Sequence, residues 1–155
     1  MASKETREQH ESTGAWAKRY HQTSQAVLES VLRPYDLGPT QWYVLHHLTH
    51  GGPGKQRDLA QLLRIERATM TGVVAALVRK GLVEQVPDPG DLRQKTLRLT
   101  EAGNELWERL PDPIARILSV AFDGVSEEEQ ALVSRVLREA TERLSLLLKQ
   151  GTHLT

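Results

Sequence analysis

Two short clusters of side chains carry the chemistry that this sequence offers. Asp91 and Arg93 stand two apart beside a stretch dense in turn residues, Pro87-Asp88-Pro89-Gly90-Asp91. At the tip of such a loop the carboxylate can hold the guanidinium in an extended pose, which suits a narrow groove of negative potential. His46 and His50 stand at i and i+4, a spacing that can chelate a divalent metal, and Tyr43 and His47 lie beside them. Serine, histidine and aspartate are all present, yet no spacing gathers a nucleophile with its base. There is no Gly-rich phosphate loop, no metal-binding helix signature and no nucleophile elbow, so the chain is not expected to be an enzyme and no cofactor is expected. The absence of Cys excludes disulfide scaffolds, thiolate metal sites, cysteine nucleophiles and thiol redox sensing.

Charge sharpens the first cluster. The chain has 20 Lys and Arg against 20 Asp and Glu, but they are not evenly spread. Residues 55–99 are net basic, residues 100–155 are net acidic by a similar amount, and residues 1–54 are balanced. A basic middle between neutral and acidic flanks is what a polyanion-binding module on a separate scaffold would show. At 155 residues, with 39% hydrophobic and 26% charged residues, the chain suits one globular domain or one protomer of a symmetric oligomer. No apolar run is long enough to span a membrane, and Met1 to His10 lacks the apolar core of a signal peptide. A cytoplasmic protein without membrane association is expected.

The elements that must position these residues are mostly helical. Ser12 to Arg33 carries Trp16, Tyr20, Val27, Leu28 and Val31 at loosely helical spacing, and Pro34 stops it. Gly38-Pro39 opens a helix through Trp42, Val44, Leu45 and Leu48, which Gly51-Gly52-Pro53-Gly54 ends. A short helix is predicted over Arg57–Leu63. Another is predicted over Glu66–Lys80, with Met70, Val73, Val74, Leu77 and Val78 on one stripe and Gly81 as its C-terminal cap. The period then changes to that of strands at Leu82–Val86 and Lys95–Leu99, a hairpin with a longer, basic-tipped loop. Thr100 caps a further helix interrupted at Pro111-Asp112-Pro113, and Ser126-Glu127-Glu128-Glu129 opens the last one, which runs to Gly151.

Two helices joined by a tight turn and followed by a hairpin make a winged helix-turn-helix, so the predicted class is mainly α with a small β-hairpin wing. The DNA-reading lobe is placed at residues 39–99 within a single protomer of 1–155. The helices at 12–34 and 101–150 have apolar stripes too wide for so small a core, and a second copy of the chain is their natural cover. A homodimer is expected.

The run Leu37-Gly38-Pro39-Thr40-Gln41-Trp42-Tyr43-Val44-Leu45 is followed by Asp58-Leu59-Ala60 and Leu77-Val78-Arg79-Lys80-Gly81-Leu82-Val83, then by Asp91-Leu92-Arg93 and Leu99-Thr100-Glu101-Ala102-Gly103. In order and spacing these segments resemble the multiple antibiotic resistance regulator (MarR) family over roughly residues 37–105. The resemblance implies a dimeric transcription regulator, usually a repressor that a small ligand, often an aromatic acid or phenol, releases from a pseudo-palindromic operator. On the second helix of the helix-turn-helix, the face away from the core stripe holds Ala68, Thr69, Gly72, Ala75, Ala76 and Arg79. These are mainly small residues that let a helix sink into the major groove. Gly72 stands where many members of the family carry a larger polar residue. Arg67, Thr69 and Thr71 sit at the end that enters the groove. Asp91 and Arg93 form the wing tip, and Lys95, Gln94, Gln56 and Arg57 add backbone contacts to double-stranded DNA.

The family places its effector in a crevice between the dimer helices and the DNA-reading lobe. Trp16, Tyr20, Trp42 and His46 are the candidates for a stacking wall and polar anchor there. Two alternatives stay open. One is a metal-responsive regulator of the same fold using the His46/His47/His50 face, for which the Cys-free chain lacks most of a four-ligand site. The other is a winged-helix protein-protein interaction module that docks an acidic partner without binding DNA.

Overall fold

A computed structural model describes residues 11–151 of the chain. Met1 to His10, read above as lacking a signal-peptide core, lie outside the described residues. The chain divides into two compact units, residues 1–114 and 115–155.

In the first unit, α1 (Thr13–Leu32) starts at Ser12, whose Oγ accepts from the Ala15 N–H at 3.2 Å. Its C-terminal end is bound into the core through Leu28 and Leu32, while Trp16, Tyr20 and Val27 are exposed. Pro34 diverts the chain into a 3₁₀ turn (Arg33–Tyr35), and α2 (Pro39–Gly51) begins with Pro39 in its first turn, where a missing N–H costs nothing. Trp42, Val44, Leu45 and Leu48 bury its inner face.

The helix-turn-helix is α3 (Gln56–Leu62) and α4 (Arg67–Arg79). Both helices end in the same way. At α4, the N–H groups of Gly81 and Leu82 donate back to the carbonyls of Val78 and Leu77 at 2.9 and 3.0 Å, with Gly81 at φ 72°. At α3, Arg64 and Ile65 donate to Gln61 and Ala60 at 3.1 and 2.9 Å, and Arg64 takes the left-handed position at φ 53°. This paired-bond termination satisfies the last carbonyls of a helix and turns the chain sharply. Met70, Val74 and Leu77 bury one side of α4, whereas Val78, expected on the same stripe, is 39% exposed.

The wing differs from expectation in two respects. It has three strands in the order β1-β3-β2, because Gly54–Lys55 (β1) pairs antiparallel with Leu97 and Thr96 of β3 (Asp91–Leu99). The hairpin between β2 (Val83–Asp88) and β3 also has almost no loop: Asp88 pairs with Asp91, leaving Pro89-Gly90 as the turn. Turn-type residues did not end the strands, because Pro87 lies on the edge strand, where a missing ladder N–H is tolerated, beside a bulge at Pro87/Asp88. Asp91 and Arg93 therefore stand on a strand rather than in a loop.

Thr100 caps α5 (Glu101–Arg109) through its Oγ1, which accepts from the Gly103 N–H at 3.0 Å. The same hydroxyl donates to the Gly81 carbonyl at 2.5 Å and so ties the start of α5 to the end of α4. Gly103 is buried, and a Cβ on it would lie 2.1 Å from the Leu82 carbonyl oxygen. Pro111-Asp112-Pro113 separates two helices, since Leu110 is extended and α6 (Pro113–Ala121) starts afresh.

The second unit contains α7 (Glu127–Lys149), opened by a reciprocal cap: Ser126 Oγ accepts from the Glu129 N–H at 3.2 Å, and Glu129 Oε2 accepts from the Ser126 N–H at 3.0 Å. None of its residues is buried, and Leu132, Val133, Val136, Leu144 and Leu148 are exposed. No described helix is long and apolar enough to cross a membrane.

Candidate nucleic-acid interface

The residues expected to meet DNA converge. A cleft of about 830 Å³ lies between the helix-turn-helix and the wing, lined by Gln56 and Arg57 of α3, Arg67 and Thr71 of α4, and Asp91, Arg93 and Lys95 of β3. Of the nine residues named from the sequence as DNA contacts, only Thr69 lies off this lining, exposed on α4. The lining also holds Gln94, named from the sequence, and adds Lys55 and Arg64, which the sequence pattern did not mark. Six cations thus face one carboxylate, Asp91. Lys55 was missed because a two-residue strand has no alternation to read. Arg64 was missed because a left-handed turn position ordinarily signals glycine or asparagine.

Several side chains have different partners from those expected. Asp91 Oδ1 accepts from the backbone N–H of Arg93 at 3.0 Å, so it shapes the start of the strand rather than gripping the guanidinium. Among the described residues no carboxylate comes within ion-pairing distance of that guanidinium. Gln56 Oε1 accepts from Gln85 Nε2 at 2.8 Å, which ties α3 to the wing instead of leaving the amide for a ligand. Within the wing, Lys55 of β1 pairs with Asp88 of β2 at 3.7 Å, while Asp88 Oδ1 also accepts from the Gly90 N–H at 2.8 Å in the turn. Arg98 and Glu84, directly opposite on the ladder, pair at 2.7 Å. Arg57 pairs with Asp58 at 3.7 Å with both side chains exposed, a contact worth little in water. Thr71 Oγ1 donates to the Arg67 carbonyl at 2.9 Å.

A second cluster is aromatic. Trp42 lies 5.1 Å from the His46 ring and 5.6 Å from Trp107 of α5, and His50 stacks on His46 at 4.3 Å. Trp42 is 4% exposed, and its Nε1–H has no hydrogen-bond partner among the described residues. Burial pushes the His46 pKa down; repulsion from His50 and His47 adds to this, and Asp112 acts in the opposite sense. Only two of the four effector candidates, Trp42 and His46, belong to this cluster. Trp16 lies exposed on α1, donating from Nε1 to Glu11 Oε2 at 3.2 Å under the Arg19 guanidinium, and Tyr20 is also exposed. Trp107 went unmarked because the sequence gives no sign that α5 packs against Trp42 of α2. His50 Nδ1 donates to the His46 carbonyl at 2.8 Å, and among the described residues no three histidine or carboxylate side chains are grouped to hold a metal ion.

Helix-turn-helix, three-stranded wing and basic cleft together define a winged helix-turn-helix protein. The model of the MarR family matches residues 35–94. The HTH-type transcriptional repressor IacR of Pseudomonas putida is 26% identical over 132 residues, covering 85% of this chain and 79% of the relative. The uncharacterized HTH-type transcriptional regulator YkoM of Bacillus subtilis is 30% identical over 108 residues, 70% of each chain. The structure of Bordetella bronchiseptica BpsR, solved to explain how 6-hydroxynicotinic acid regulates its DNA binding, superposes with a TM-score of 0.75. It is 26% identical and matches over 85% of this chain and 94% of that one. The chain belongs to the MarR family of transcription regulators.

Proposed function

We propose that this protein is a homodimeric transcriptional repressor that binds a pseudo-palindromic operator in double-stranded DNA and is released by a small aromatic acid or phenol. The observation that carries this reading is the convergence of Arg57, Arg67, Arg93 and Lys95 with Lys55 and Arg64 on one cleft between α4 and the wing. In this reading α4 enters the major groove, Arg93 reaches the adjacent minor groove, and the remaining cations bind phosphates. The exposed apolar side chains along α7, and Trp16, Tyr20 and Val27 of α1, favour a second copy of the chain as partner. The effector reading rests on the Trp42–His46–Trp107 rings, which offer a stacking wall, and on the unpaired indole N–H of Trp42, which offers a donor. BpsR, a relative whose DNA binding 6-hydroxynicotinic acid regulates, favours an aromatic acid. A metal-responsive regulator has only the His46–His50 pair in its support.

The test is selection of bound duplexes from a random library, followed by salt titration on the enriched sequence. Enrichment of an inverted repeat, with affinity falling by about 0.9 log units per log unit of salt for each phosphate neutralised, is the expected result. No enrichment at low salt would favour the protein-interaction module.

A further inference from the structure

On its cleft side α4 offers methyl groups and few hydrogen-bonding atoms, and the exposed hydroxyl of Thr69 lies off the cleft lining. Ala68 and Ala75 flank Thr71 on this side, and Gly72 adds no side chain at all. Thr71 carries the nearest hydroxyl on the cleft side, and its only proton is committed to the Arg67 carbonyl at 2.9 Å, inside the helix. A hydroxyl turned inward in this way cannot donate to guanine O6 or N7, to adenine N7 or to thymine O4; its oxygen can still accept a hydrogen bond, and the methyl Cγ2 is the part of the side chain with no such commitment. A Cβ built on Gly72 would meet nothing within 4 Å, so the backbone between these methyl groups is bare and a base edge can approach it closely. The two long cationic side chains of the helix, Arg67 and Arg79, stand at its two ends.

We propose that α4 recognises its half-site chiefly by apolar contact with thymine C5-methyl groups in the major groove, with the Thr71 methyl as the central contact. Thymine is the one base whose major-groove edge is marked by a methyl, and small apolar side chains are its natural complement. The inference rests on the DNA-binding reading above and adds the class of base that the helix selects. It gives Thr71 a role opposite to the usual one for a groove-facing hydroxyl, because the methyl discriminates and the hydroxyl holds the rotamer.

The experiment compares the enriched operator with the same duplex carrying deoxyuridine for thymine, which removes the methyl and leaves every hydrogen-bonding atom in place. Binding is measured by fluorescence anisotropy at one fixed salt concentration. A methyl removed from an apolar contact corresponds to about a fourfold loss of affinity, so replacing the contacted thymine in both half-sites should weaken binding by about tenfold or more. Thr71→Ser, which keeps the hydroxyl and drops the methyl, should bring the thymine-to-uracil ratio at that position close to one. Thr71→Val, which keeps the methyl and drops the hydroxyl, should preserve that ratio. Equal binding of the wild-type protein to both duplexes would overturn this inference alone, as would a ratio lost in Thr71→Val and kept in Thr71→Ser. Failure to bind either duplex would overturn the DNA-binding reading and this inference with it.

Discussion

Replacing Gly103 with alanine should destabilise the protein although alanine is the better helix former. The new Cβ would stand 2.1 Å from the Leu82 carbonyl oxygen, 3.1 Å from its carbon and 3.2 Å from Leu99 Cδ2. An ordinary carbon–oxygen contact needs about 3.3 Å, so α5 and Leu82 must separate by about 1 Å or more. Neither side is free to give. The Leu82 carbonyl accepts from the Thr100 N–H at 3.1 Å, and the Leu82 N–H donates to Leu77 at 3.0 Å in the α4 termination. Thr100 is held in turn by its links to Gly103 and Gly81. Overpacking a tight site costs about 1–3 kcal/mol, and weakening the Leu82–Thr100 hydrogen bond adds about 1 kcal/mol or more. Alanine returns about 1 kcal/mol in helix propensity. The net expectation is a loss of about 1–4 kcal/mol. Urea denaturation of wild type and Gly103→Ala at one protomer concentration, followed by Trp fluorescence, reads the difference directly. A variant within 0.5 kcal/mol of wild type, or more stable, would mean that α5 slides past Leu82 without resistance and that the reasoning is wrong.

Gly72→Ala is the contrasting case: a Cβ there meets nothing within 4 Å on a helical backbone, so the variant should gain about 0.5–1 kcal/mol in the same denaturation assay, and a loss would contradict the open surface. Arg93→Ala should weaken operator binding by about 1–3 kcal/mol while leaving the unfolding midpoint in place; an affinity change below about 0.5 kcal/mol would remove the wing arginine from the interface. Because the folded-state pKa of His46 lies below its ordinary value of 6.5, the folded protein binds fewer protons than the unfolded chain in that range. Its contribution to stability is therefore intact above pH 6.5 and is lost as pH falls through the folded pKa. Urea midpoints should drop between pH 7.5 and 5.5 by more in wild type than in His46→Gln, and parallel curves would contradict this. Leu144→Glu on the exposed face of α7 should shift sedimentation toward the monomer, while a mass unchanged at micromolar concentration would place the interface elsewhere.

The helices were legible because their signals are local. Pro39, Thr100, Ser126 and Gly81 stand at helix ends and do there what their chemistry predicts, and Met70, Val74 and Leu77 report a buried stripe through their spacing alone. The wing was legible in existence but not in detail. Pro87, Asp88 and Asp91 all suit turns, yet the ladder continues through them, because pairing with a neighbouring strand outweighs local preference and β2 is an edge. β1 left no trace in the sequence, since its two residues are a strand only by virtue of Thr96 and Leu97 across from them. The cleft was largely legible because basic residues concentrated in a helix-turn-helix and hairpin have few places to face. What each side chain does within it was not. Gln56 was read as reaching toward DNA and Asp91 as holding the Arg93 guanidinium, but Gln56 is bound to Gln85, distant in sequence, and Asp91 to the adjacent backbone. The ring cluster was half legible, because Trp107 joins Trp42 and His46 only through the packing of α5.

The tie between α3 and the wing, Gln56 with Gln85, and the Lys55–Asp88 pair that joins β1, just before α3, to β2 make a caliper of each chain. One jaw is the helix-turn-helix and the other is the hairpin, and the gap between them is set by short contacts within a single chain. In the proposed dimer on DNA, the interval between a major groove and its neighbouring minor groove would then be gauged by each protomer alone. In that dimer, tolerance for operators whose half-sites stand closer together or farther apart would have to come from the junction of the two copies. An effector that loosens one arm would leave that arm's own gauge intact, and its action would be felt as lost phasing between two good readers rather than as damage to either.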